Sequence, residues 1–167
     1  MATGRLKHRA RGVAAFVVSA LFVLEYLVPL DTVSYTINIP QADRWLAAQP
    51  APFAVAEVPL PDIHQVALSN KFQSTYMLHS TAHWQKTVHG WSGLMPARHL
   101  ELFDALTRFP DEKSLRALAE FKVDYLVVHS DAYPRAEWPD IEQRLQRLPP
   151  PLRLVYADAA GRVYALH

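Results

Sequence analysis

Val123-Asp124-Tyr125-Leu126-Val127-Val128-His129 is the stretch that decides the fold. Aliphatic residues fill it almost without interruption, the pattern of a strand covered on both faces. Such a strand needs helices packed against it, and the flanking chain supplies them. Upstream, 98–109 brings Leu102, Phe103, Leu106 and Phe109 together at helical spacing before Pro110 breaks the pattern. Asp111 and Glu112 then open another helix, where carboxylates meet the positive end of the helix dipole. Leu115, Leu118 and Ala119 form its inner side, with Phe121 beyond. Downstream, 138–148 turns Ile141, Leu145 and Leu148 inward and its arginines outward, and the prolines at 149–151 end it. Residues 152–157 and 162–166 read as two short strands joined by Asp158-Ala159-Ala160-Gly161, a closing hairpin. Helices between strands predict an α/β fold, with a small mixed β-sheet of about four strands and packing helices.

Before that core the chain becomes richer in polar and aromatic residues. Phe53 to Leu60 (FAVAEVPL) reads as a strand with Glu57 at its centre and Pro59 and Pro61 closing it. A carboxylate near a strand end can hold a ligand in an open sheet; the plainer alternative is an outward, solvated residue. His64 to Trp84 has a helical stripe through Val66, Leu68, Phe72, Tyr76 and Met77. His79 and His83 stand four apart, on one helix face. Two such histidines can bind zinc, but the metalloprotease pattern needs a Glu directly after the first, and Ser80 stands there. Without a third ligand no metal is assigned, and no cofactor is expected. Gly90 and Gly93 bracket a sharp loop carrying Trp91 and Ser92. Leu94 occupies the last glycine position of a G-x-S-x-G elbow, so Ser92 is not read as a nucleophile. His129-Ser130-Asp131, past the end of the central strand, is either a ligand-binding edge or ordinary turn chemistry.

The 167 residues carry a formal net charge of +1 and no cysteine. With the first, nothing in the bulk electrostatics calls for nucleic acid, and the second excludes disulfides and thiolate chemistry. Residues 1–12 hold Arg5, Lys7, Arg9 and Arg11 with no acidic residue. The apolar run 13–30 follows, interrupted by Ser19, Glu25 and Tyr26. Its length matches a ~30 Å hydrocarbon core, which predicts one N-terminal transmembrane helix. The one-sided basic flank puts the N-terminus in the cytoplasm and the remainder outside the cell's inner membrane. Residues 31–52 read as an extended lead-in with a short helix at 41–49 ahead of Pro50, and 53–167 as the folded extracytoplasmic domain.

In chain order, the apolar span ending L-E-Y-L is followed by the W-L helix and a strand ending in proline. Then come Y-M-x-x-S-T-x-H-W (from Tyr76), G-W-S-G-x-x-P (from Gly90), F-P-D-E-x-S-L-x-A-L and V-D-Y-L-V-V-H. This order resembles the C-terminal part of bacterial multi-spanning membrane proteins of the GT-C glycosyltransferase type, over nearly the whole chain. It is most specific at Ser80-Thr81, His83-Trp84 and 90–96, and departs at His89, where an asparagine is expected. The resemblance implies a last transmembrane helix leading into an extracytoplasmic α/β domain. It also implies catalysis by acidic residues in an early loop of a many-helix core, acting on a lipid-linked sugar. That loop has no counterpart in this chain, so no catalytic residue is carried over. A truncated reading frame, a fragment and a stand-alone relative all fit.

The resulting expectation is a membrane-anchored accessory domain of a GT-C-like glycosyltransferase. Tyr76, His83, Trp84, Trp91 and Ser92 would offer polar-aromatic contacts to a sugar or to a missing loop. Its partners would be the lipid bilayer and a multi-spanning membrane protein or lipid-linked sugar. The rival is a non-enzymatic single-pass protein whose outer domain binds a protein or glycan partner.

Overall fold

The structure, a computed structural model, describes residues 2–27 (with side chains from 11), 38–90, 95–148 and 152–166. The chain divides into two compact units, Met1–Thr36 and Ile37–His167.

Among the described residues, the first unit holds one helix, α1 (Ala2–Tyr26). It corrects the membrane reading, because no described helix is long and apolar enough to cross a bilayer. The basic residues Arg5, Lys7, Arg9 and Arg11 fall inside α1. Its uncharged stretch from Val13 to Leu24, ahead of Glu25, rises only roughly 18 Å, well short of a ~30 Å hydrocarbon core. The end of the expected span, 28–30, lies outside the described residues. The expected transmembrane helix is therefore withdrawn, and with it the single-pass inner-membrane placement.

The second unit is α/β, as the central strand predicted. Its helices are α2 (Gln41–Leu46), α3 (Val66–His79), α4 (Ala97–Leu106), α5 (Glu112–Glu120) and α6 (Trp138–Arg147). Its strands are β1 (Ala54–Val58), β2 (Lys86–Thr87), β3 (Tyr125–His129), β4 (Arg153–Ala157) and β5 (Gly161–Ala165). The sheet has five strands in the order β2-β1-β3-β5-β4, one more than expected. β2, β1 and β3 run parallel, while β5 is antiparallel to both β3 and β4. The extra strand, β2, is two residues of polar sequence with no alternation to reveal it.

Period-two alternation explains how β1 and β3 are buried. Ala56, Val58, Leu126 and Val128 face the larger core, filled by Leu102, Phe103, Leu106, Leu118, Ile141 and Leu145. Val55 and Val127 face the opposite layer with Ala42, Leu46 and Phe53, which draws α2 into the folded unit. The start of α5 is fixed as its acidic residues suggested. Asp111 Oδ1 accepts from Ser114 N at 2.7 Å, and Ser114 Oγ accepts from Asp111 N at 3.1 Å, a reciprocal cap.

Candidate functional site

By the same alternation Glu57 on β1 and His129 on β3 stand on the face of Val55 and Val127. α2 is too short to cover that face with apolar side chains alone. The remaining space is closed by the last turn of α3 and the 3-10 turn after it, Ser80–Ala82, which deliver His79 and His83. Five elements thus bring two carboxylates and three imidazoles into one interior cluster, with Asp43 and Glu57 both at 0% exposure.

Glu57 is its centre. Its Oε2 accepts from His129 Nε2 at 2.7 Å and from His79 Nδ1 at 2.9 Å. Burial pushes the Glu57 carboxyl up, but the hydrogen bonds from His129 and His79 outweigh it and bring it down to about 2. Burial acts on His129 in the opposite sense, and the Glu57 carboxylate overrides it to hold this imidazole above its ordinary value. Each group thus favours the charged form of the other, the direction that strengthens a charge-assisted bond.

His89 and Gln73 form the second tier. The Glu57 backbone N–H donates to His89 Nε2 at 2.6 Å, so the proton of His89 sits on Nδ1, facing Gln73 Oε1 at 3.1 Å. Burial lowers His89 to about 4, which keeps it neutral. Tyr76 stacks on His129 with ring centroids 5.2 Å apart, and its hydroxyl donates to the Pro59 carbonyl at 2.7 Å.

Asp43 is the unmatched member. Its Oδ2 lies 4.0 Å from His79 Nδ1 and its Oδ1 3.8 Å from His83 Nε2, both beyond hydrogen-bonding distance. Burial, reinforced by the nearby Glu57 charge, raises Asp43 to about 7. His83 accepts from Gln85 N at 3.0 Å through Nδ1, and burial holds it below its ordinary value. Both Asp43 oxygens, Glu57 Oε1 and His83 Nε2 are buried without a protein partner. Such atoms cost about 1–3 kcal/mol each when left unpaired, so their gathering around one centre is unusual.

Of the five residues expected at a site, Tyr76 and His83 are buried and belong to this cluster. Trp84, immediately after His83, is 81% exposed. It sits at φ 54° with its N–H donating to the Ser80 carbonyl at 2.8 Å. Trp91 and Ser92 lie outside the described residues. The sequence leaves Glu57 open between a ligand-holding and a solvated residue and His129 between a ligand edge and a turn, and no local pattern marks Asp43 or Gln73. A lone acid inside an otherwise apolar strand was the available signal, because an inner strand buries both faces. Beyond β3, the stretch from His129 borders an open cleft of about 480 Å³, lined among others by Asp131, Tyr133, Trp138 and Arg162.

Comparison of the chain with protein-family models, curated proteins and solved structures finds no match.

Proposed function

We propose that the chain is a non-enzymatic accessory domain of a GT-C-type glycosyltransferase, docking on the enzyme's multi-spanning core through the surface that Trp84 leads. The observation carrying this reading is Trp84 itself. A left-handed backbone is costly for a large side chain, about 1–2 kcal/mol. Here that conformation turns an indole outward at 81% exposure rather than into the core. Exposed tryptophans of this kind are frequent anchors of protein interfaces.

Two further features support it. The segments on which the GT-C resemblance is read supply Asp43, Glu57, Tyr76, His83 and His129, which gather in one buried knot whose His83 immediately precedes Trp84. The acids and imidazoles of that knot are closed off from solvent and face one another. This suits a rigid support better than an acid–base pair meeting a substrate.

The test is co-expression of the full chain with a GT-C-type core from the same source, followed by affinity recovery of the chain. Trp84→Ala is expected to reduce the recovered core at least tenfold. Leu154→Ala, at an exposed apolar position on the outer strand β4, should leave it unchanged. Equal recovery with Trp84→Ala contradicts docking. So does Trp84-dependent binding of a glycan by the chain alone, which would assign the surface to a sugar instead.

A further inference from the structure

We infer that Glu57, His79 and His129 form a site for a divalent transition-metal ion, with zinc as the first candidate. One Glu57 oxygen, His79 Nδ1 and His129 Nε2 all lie within 4.8 Å of one another, and all three residues are buried. Two imidazole nitrogens and one carboxylate form a donor set suited to zinc and its neighbours, whereas magnesium and calcium favour oxygen alone.

The present spacing is that of the metal-free hydrogen-bonded state. Around a tetrahedral ion with bonds of 2.0–2.1 Å, donor atoms stand roughly 3.3 Å apart. The observed 2.9 Å and 2.7 Å separations open to that spacing with side-chain shifts of about half an ångström. An ion would replace the two imidazole protons that now point at Glu57.

A plain hydrogen-bonded triad accounts for Glu57 Oε2, His79 and His129, but not for the atoms around them. Glu57 Oε1 is unpartnered and buried, available as a second oxygen to an ion. Asp43, wholly buried with both oxygens unpartnered, stands beside His79. It is the next carboxylate an ion or its bound water would meet. Position in the fold agrees, since the ligands come from β1, β3 and the end of α3, elements tied by the sheet and the core. The site lies inside the knot, separate from the surface of Trp84, and does not depend on the docking reading.

The experiment uses the full chain stripped with a chelator. It is titrated with Zn²⁺ by calorimetry and with Co²⁺ by visible absorption. Expected are one ion per chain, sub-micromolar zinc affinity, and cobalt bands of a four- or five-coordinate site. Glu57→Gln and His79→Gln should weaken zinc binding at least a hundredfold, while His64→Gln, at an exposed histidine, should not change it. X-ray absorption on the zinc-loaded wild type reads the ligands without relying on a variant that folds. Two imidazoles in its first shell support the assignment. No zinc binding by the wild type overturns it, as does a shell lacking imidazole or an affinity indifferent to both substitutions.

Discussion

Glu57 and His129 meet at 2.7 Å across the central parallel pair, although 72 positions separate them in the chain. They are not register partners. Glu57 pairs with Val127, and His129 is two residues further on the same face. The contact is thus a diagonal one, made possible by side-chain alternation and by strands held in fixed register.

Removing one side of that pair should be severe. In chelator-treated protein, Glu57→Gln removes the carboxylate that favours the charged form of the buried His129, and breaking such a buried pair costs about 3–5 kcal/mol. Replacing both residues by leucine should restore much of the loss, since two apolar groups need no partner. Urea denaturation of the single and double variants measures the difference. A double variant no more stable than Glu57→Gln would show that the contact is not the source of the effect.

Asp43 should make its own contribution to the pH dependence of stability. Its carboxyl is raised from 3.8 to about 7 in the folded chain, where it faces His79, His83 and the charges of Glu57 and His129. The folded state then binds the proton more tightly than the unfolded one, so this group's contribution falls as pH rises from about 4 to about 7. His89, lowered to about 4, acts in the opposite sense, adding stability as pH rises from there to its ordinary value of 6.5. Asp43→Asn removes only the falling component. Denaturation of metal-free protein at pH 4.5 and 7.5 should show the variant gaining on the wild type by a few kcal/mol, on the order of 2–4, at the higher pH. A constant difference between the two pH values would refute the assignment.

Trp84 lets stability and the proposed docking be tested apart. At φ 54° its backbone suits glycine, and its side chain is exposed, so little core packing is lost by truncation. Trp84→Gly should therefore be more stable than Trp84→Ala by about 1 kcal/mol, because alanine keeps the Cβ that the left-handed conformation disfavours. Both variants should lose docking alike. Thermal unfolding provides the comparison, and a glycine variant less stable than the alanine variant would argue against strain at this position.

Much of the fold could be read from local pattern. The unbroken aliphatic run of β3, the helical spacing of Leu102, Phe103 and Leu106, and the Asp111 cap each act within a few residues. The two-residue β2 has no pattern of its own and exists through its pairing with β1. The basic and apolar residues of α1 look in sequence like a flank and a span, whereas one helix contains both. The cluster was legible only in pieces. His79 and His83 stand four apart and drew notice, but Asp43, Glu57 and His129 converge only once α2, β1 and β3 are assembled. Glu57 could not be placed by hydrophobicity alone, because a strand carrying an acid can sit at an edge or in the middle of a sheet. The neighbour that decides it, β3, lies some seventy residues away.

The central claim is that Trp84 leads a docking surface for a GT-C-type core, and a photo-crosslinking amino acid at position 84 tests it most directly. Irradiation of cells containing both proteins should join the chain to that core from position 84 and not from position 154. Adducts of equal yield from both positions, or none from position 84, would contradict the account.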